Sequence, residues 1–193
     1  MSPQVRLALA CCVLGGCVDP GMYRPPDENR PAIVPMRSAT PVTLPEPEAN
    51  ELVVVVNNNA FGGSHAGLFI GARLSDPSGN YASDRARDPA WRGPLLADYV
   101  DYQMHDGDNV LVYRFRLDPA SFAMVDARVR DWGSTPPLFC AATVQNQIAG
   151  VGPFAAVDSV GWTSPSALAQ LLDGLTAGAA APGSCLRPDG ARC

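Results

Sequence analysis

Ser64-His65-Ala66-Gly67-Leu68-Phe69-Ile70-Gly71, followed directly by Ala72-Arg73-Leu74-Ser75-Asp76-Pro77-Ser78-Gly79-Asn80-Tyr81, is the stretch that decides the fold. Ala66–Gly71 is a short apolar run of strand length, and Ala72–Asp76 continues as a second, paired strand. Asp76-Pro77-Ser78-Gly79-Asn80 then supplies turn chemistry: a preset proline φ, a permissive glycine and side chains that bond their own backbone. Upstream, the β-branched run Glu51–Val56 predicts a buried strand, with Asn57–Gly63 as a loop. Downstream, Val110–Leu117 alternates as a strand should, with Leu111, Tyr113, Phe115 and Leu117 on one side and Arg114 and Arg116 on the other.

Helices fill the remainder. Pro94–Tyr102 predicts a short helix with Leu95, Tyr99 and Tyr102 on one face, after a charged, exposed segment Ser83–Arg92. Asp118-Pro119 is an N-cap followed by proline in the first turn. Phe122, Val125, Val129 and Trp132 recur behind it at helical spacing until Gly133. Pro136-Pro137 introduces a helix over Leu138–Ala149, stopped by Gly150. Ser164-Pro165 caps another with Leu168, Leu171, Leu172 and Leu175 as its stripe. Strands and helices are mixed without regular alternation, which predicts an α+β domain rather than a parallel α/β one.

The N-terminus has the three-part order of an export signal: a short polar start with Arg6, the apolar run Leu7–Leu14, then small residues before a cut. That run is far short of the roughly 20 residues that span a bilayer. Leu14-Gly15-Gly16-Cys17 resembles the bacterial lipobox, which implies cleavage after residue 16 and lipidation of Cys17. The resemblance further implies, through Val18, a lipid-anchored protein on the outer membrane facing the periplasm. The alternative is an ordinary secretory signal with a chance cysteine. Residues 17–48 are studded with prolines and lack apolar periodicity, as a disordered tether would be. Ala49 onward is one domain by length, running to residue 182, with a tail over 183–193.

All fourteen cations are arginine, against nineteen acids. The absence of lysine excludes Schiff-base chemistry, a Walker-type phosphate loop and a Ser-Lys dyad. A net charge of −5 with scattered arginines argues against nucleic acid as a partner. Of six cysteines, Cys11 and Cys12 leave with the signal and Cys17 takes the lipid. Cys185 and Cys193 bracket a short C-terminal loop where an oxidising compartment could pair them. Cys140 is left over. At the first turn of its helix, backbone N–H groups favour a thiolate, the reactive form, although a lone cysteine is also a common core residue. A thiol nucleophile needs a base, and there are two histidines. His105 sits in a polar Asp/Gly turn. His65 stands at the mouth of a strand, either as a base or as a structural histidine bonded to backbone.

Ser64–Gly71 with Asp76-Pro77-Ser78-Gly79-Asn80-Tyr81 resembles the first half of the circularly permuted NlpC-type papain-like cysteine hydrolases, in which histidine precedes cysteine. Phe139-Cys140-Ala141-Ala142-Thr143-Val144 is similar to the family's cysteine-bearing helix start. Gly152-Pro153-Phe154 and Thr163-Ser164-Pro165-Ser166-Ala167-Leu168 resemble the segments downstream of that helix. The resemblance covers roughly Glu51–Leu172. It implies a permuted papain-like fold, a small antiparallel sheet packed against helices, and a site of Cys140 as nucleophile, His65 as base and a polar residue on the next strand. Asp76 is the nearest match for that third residue, with Asn80 as substitute; Asp76 has a rival role as a turn former. The family's frequent Ser-Glu after the cysteine is missing, so the substrate class is not fixed. The implied activity is cleavage of an amide bond in cell-wall peptide, without cofactor or metal. The alternatives are a lipid acyl hydrolase or transferase, or a non-catalytic envelope binding or structural lipoprotein.

Two other chemistries fail. Gly62-Gly63-Ser64-His65-Ala66 is not a nucleophile elbow, because Ala66 stands where G-x-S-x-G needs glycine. Two histidines far apart, with no local ligand pair, make no metal site.

Overall fold

The computed structural model describes residues 42–59, 63–106, 110–176 and 183–186. Cys17, the signal, residues 17–41 of the tether and Cys193 lie outside the described residues.

A five-stranded sheet forms the centre, in the order β3-β2-β1-β4-β5. Its strands are β1 (Glu51–Asn59), β2 (Gly63–Ile70), β3 (Arg73–Ser75), β4 (Val110–Arg116) and β5 (Gly183–Leu186), and every pair is antiparallel. The hairpin expected around Gly71 is present: Leu68 opposes Ser75, and Gly71 turns the chain at φ 53° while its N–H bonds the Glu51 carbonyl. The helices are α1 (Asn80–Arg85), α2 (Leu96–Gln103), α3 (Pro119–Asp131), α4 (Cys140–Ile148) and α5 (Pro165–Thr176). The α+β class with an antiparallel sheet packed against helices therefore holds.

Strand alternation sends side chains to two cores. Leu52, Val54, Val56, Ala66, Leu68, Ile70, Tyr113 and Phe115 form one with Val125 of α3, Ala141, Val144 and Ile148 of α4, and Leu168 and Leu172 of α5. Val53, Val55, Phe69, Val110 and Val112 form the other with Tyr81 of α1 and Leu96, Tyr99 and Val100 of α2. The sheet is thus covered on both faces. The row of β4 that carries Arg114 and Arg116 begins with two buried valines, Val110 and Val112.

Both caps expected from sequence are in place. Asp118 accepts from the N–H groups of Ala120 and Ser121, with Pro119 in the first turn, and Ser164 Oγ accepts from Ala167 N–H at 3.1 Å. Several expectations fail for reasons outside the local sequence. β1 and β2 pair as far as Asn59 and Gly63, because the buried Asn57 amide donates to the Gln103 carbonyl at 3.0 Å and needs no water. Ser83–Arg92 is not wholly exposed: Arg85 is buried under Tyr81 and Tyr102, with its guanidinium bonded to Asp98. Leu95 is the exposed N-cap of α2, while Leu96, Tyr99 and Val100 are the buried face.

Both domain boundaries shift outward. Val42 and Leu44, assigned to the tether, pack on the second core. Glu46 accepts from Leu96 N–H, Glu48 pairs with Arg116, and Arg114 reaches the Pro45 carbonyl. At the other end, residues 183–186, assigned to the tail, form β5, with Cys185 opposite Tyr113.

Candidate active site

His65 is the third residue of β2 and opposes Asn57 on β1. It shares a row with Gly67 and Phe69, which look toward α2. Asp76 follows β3 directly, so antiparallel pairing returns it alongside β2. His65 Nε2 lies 2.7 Å from Asp76 Oδ1, with the Asp76 side chain 4% exposed. Ser78 Oγ donates to the same oxygen at 3.0 Å, and Tyr81 N–H donates to Oδ2 at 3.3 Å. Asp76 makes the contacts of a turn residue and a contact to the imidazole at once. Its main-chain carbonyl closes the turn by accepting from Gly79 N–H, while its carboxylate holds the imidazole.

Burial pushes the Asp76 carboxyl up, but the hydrogen bond and charge of His65, with Ser78 and Tyr81, outweigh it and hold the group below its ordinary 3.8. An ionised carboxylate only accepts, so Nε2 carries the proton and Nδ1 is the basic nitrogen of the neutral ring. Behind the pair stands Tyr99, whose hydroxyl is fully buried. Burial first, and then the negative charge of Asp76, raise its pKa well above 10.0. A Cβ on Gly67 would collide with that hydroxyl, so glycine is what lets α2 close on the strand beside His65.

Asn80, the substitute for Asp76, opens α1, with its N–H on Ser78 Oγ at 3.4 Å. His105 lies in a 3₁₀ turn, where Nδ1–H donates to the Asp101 carbonyl at 2.8 Å. Ser64 and His65 are consecutive strand residues and point to opposite faces, as expected.

Cys140 is the first residue of α4 and almost fully buried. The direction of α4 fixes where it lies. Gln147 donates to Ser75 Oγ at 2.9 Å, and Ser75 opposes Leu68. Just past the helix, Phe154 packs edge-on against Phe115 at 4.7 Å; Phe115 opposes Leu52, which opposes Ile70. Arg128 of α3 caps the same end by donating to the carbonyls of Asn146, Gln147 and Ala149. The C-terminus of α4 is therefore at the Ile70 end of β2. Its nine residues, about 13 Å at ~1.5 Å each, run back toward Ala66 and His65. Cys140 and His65 share one end of the sheet. Cys140 rides on the helix over one face, and His65 belongs to the row on the other.

Ahead of Cys140 the backbone is strained. Leu138 has φ 73°, left-handed for a branched-chain residue, a conformation that costs roughly 1–3 kcal/mol. It is held by Trp162 Nε1–H, which donates to the Leu138 carbonyl at 3.1 Å, and by Phe139 N–H on the Pro136 carbonyl at 3.2 Å.

Cys140 does not stand apart from the other cysteines, as the sequence arithmetic had it. It is disulfide-bonded, to a cysteine outside the described side chains. The proposed Cys185–Cys193 pair also falls outside them. Sequence reasoning missed Tyr99 as a wall of the site, Trp162 as a latch and Leu138 as a strained residue. Only Tyr99 left a signal, as part of the aromatic stripe of α2. Among the described residues, no group of three or more His, Cys, Asp or Glu side chains could hold a metal. No helix among them is long and apolar enough to cross a membrane.

No family model, curated protein or solved structure matches the chain.

Proposed function

We propose that the chain is an exported envelope lipoprotein, anchored through Cys17, whose domain is a permuted papain-like thiol hydrolase acting on an amide bond of cell-wall peptide. The observation that carries this reading is the His65–Asp76 pair at 2.7 Å: a buried carboxylate orienting a strand-mouth imidazole so that Nδ1 is basic. The helix start that bears Cys140 at the same end of the sheet, behind the strained Leu138, supports it. Catalysis on this reading requires reduced Cys140, over one face of the sheet, to reach His65 Nδ1, in the row on the other, at the end of the sheet they share, to give it the proton and then to attack the carbonyl. Backbone N–H groups at the start of α4 hold the oxyanion. The amine leaves with the proton from His65, and water cleaves the thioester to restore the thiol.

The test uses reduced protein. A thiol-directed electrophile labels Cys140 at neutral pH, His65→Ala abolishes the labelling, and purified sacculi yield new peptide products. A reduced-state crystal structure with Cys140 Sγ farther than roughly 3–4 Å from every His65 nitrogen, with no water between, sinks the reading.

The disulfide at Cys140 favours a second reading, a binding or structural envelope lipoprotein that keeps the frame without catalysis. Reduced protein that is folded but inert toward both probe and sacculi supports it.

A further inference from the structure

We infer that Trp162 is a stacking platform for a sugar ring, and that the surface around the α4 start binds an uncharged polysaccharide. Four large apolar side chains are exposed among the described residues: Leu95 (55%), Trp162 (54%), Met124 (48%) and Trp132 (38%). Three of them sit among charge. Met124 touches the Arg128 guanidinium, Trp132 follows Arg130-Asp131 at the end of α3, and Leu95 precedes Leu96, whose N–H binds Glu46. Trp162 is placed differently. Between Asp131 and Asp173 the chain carries one charged residue, Asp158, although the whole sequence has 14 cations and 19 acids in 193 residues. Such a surface gives a nucleic acid, an anionic lipid or a charged protein nothing to steer by, and suits a neutral ligand.

The ring is also held still. The only polar atom of its side chain, Nε1, donates to the Leu138 carbonyl at 3.1 Å, so what it offers outward is carbon and π face. Its loop is tied to α4 at three points. Gln145 Nε2 donates to the Asp158 carbonyl at 3.0 Å, and the Asn146 side chain both donates to the Val160 carbonyl, at 2.9 Å, and accepts from Val160 N–H, at 2.7 Å. Leu138 presents its carbonyl from a left-handed φ of 73°, the kind of strain that collects at ligand clamps. An aromatic ring fixed before its ligand arrives loses little freedom on binding. Pro136 and Pro137 on the Leu138 side, and Ser159 and Gly161 on the Trp162 loop, are exposed. A Cβ on Gly161 would meet nothing within 4 Å, so that side is open. The C–H face of a pyranose, apolar and weakly positive, complements the negative face of the indole, while its hydroxyls stay in water. An N-acetylated glycan strand belongs to this neutral class. The inference uses neither Cys140 nor His65 and holds for either reading of the function.

The experiment titrates the full chain with a neutral tetramer of N-acetylglucosamine, with its cationic de-acetylated form, and with a wall stem peptide that lacks sugar. Binding is followed by NMR of the indole N–H signals of Trp91, Trp132 and Trp162, assigned by replacing each with Phe. We expect the neutral tetramer to shift the Trp162 signal and leave the other two in place, with an affinity unchanged from about 0.05 to about 0.5 M salt. Trp162→Ala weakens binding about tenfold or more, Trp132→Ala does not, and Trp162→Phe, which keeps a ring, falls between. Circular dichroism checks folding; if Trp162→Ala unfolds, the signal shift in the native chain decides. Absence of binding by the neutral tetramer at millimolar concentration overturns the inference, and so does binding that leaves the Trp162 signal unmoved. A Trp162 shift produced only by the cationic sugar, or only by the stem peptide, overturns it as well, the latter making this surface a peptide site. A Cys140 inert toward thiol probes overturns the hydrolase reading alone and leaves the expected sugar binding unchanged.

Discussion

Gly67 and Tyr99 touch across two layers of the domain: the glycine is in β2, one residue beyond Ala66, and the tyrosine hydroxyl of α2 occupies the space a Cβ would need. This contact sits beside His65 on the same face of the strand, so it sets how closely the α2 layer backs the His65–Asp76 pair.

Gly67→Ala is therefore expected to lose about 1–3 kcal/mol of stability through overpacking. Tyr99→Phe alone should cost no more than about 1 kcal/mol, since that buried hydroxyl faces the Asp76 carboxylate without a well-formed hydrogen bond to it. Combining the two should recover part of the loss, because ring carbon Cζ is still 2.8 Å from the added Cβ. Urea denaturation of the three variants forms the double-mutant cycle. Full additivity would show that the two positions do not meet.

Asp76→Asn should cost about 1.5–3 kcal/mol near neutral pH, the scale of a hydrogen bond to a charged group. The pH dependence carries the sharper signature. The folded carboxyl titrates below its ordinary 3.8, so its contribution is complete above that value and is lost as pH falls through the lower folded value. Urea midpoints from about pH 2 to about pH 7 should show this acid-limb loss in the native protein and a flatter limb in Asp76→Asn. An equally steep limb in the variant would locate the titration elsewhere.

Asp98 receives both the Arg85 guanidinium, at 2.9 Å, and the Tyr81 hydroxyl, at 2.8 Å. Because Arg85 is 1% exposed, Asp98→Ala strands a buried charge and should cost about 3–5 kcal/mol. The triple variant Arg85→Met, Asp98→Leu, Tyr81→Phe removes every polar group of the cluster and should recover most of that loss. Thermal unfolding checks both. A triple variant no more stable than the single one would show that the ion pair is net stabilising here.

Phe154→Ala should cost about 3–5 kcal/mol, the range for truncating a fully buried aromatic ring. Since Phe154 anchors the C-terminal end of α4 against Phe115, the loss should appear with early hydrogen exchange in the amides of Val144–Ile148. Unchanged protection there would separate the ring from the orientation of the helix.

What was legible in the sequence was what depends on near neighbours. The β2–β3 hairpin is written in Gly71 and the Asp-Pro-Ser-Gly turn, and two helix starts are written in Asp118-Pro119 and Ser164-Pro165. The alternation of Val110–Leu117 gave one core face correctly. What was not legible depends on distant partners. Asn57 reads as loop because its amide is satisfied 46 residues away, at Gln103. Arg85 reads as exposed because the rings that bury it come from its own helix and from α2 together. Val42 and Leu44 read as tether because so short an apolar pair shows no period, and only α2 gives it a surface. At the site, the His65–Asp76 pairing was readable because strand pairing fixes it locally. The disulfide at Cys140 was not, since parity of cysteines does not say which sulfur meets which.

The strap formed by residues 42–48 has a mechanical meaning. It leads straight into β1, which lies between β2 and β4 and is hydrogen-bonded along its length to both. A pull applied at residue 42 must first peel Glu46 from Leu96 and Glu48 from Arg116. It then loads the central strand along its own axis, where rows of hydrogen bonds on both edges share the force in shear rather than opening one by one. The domain is thus held by its strongest line, and load arriving from the N-terminal side reaches the His65 end of the sheet last.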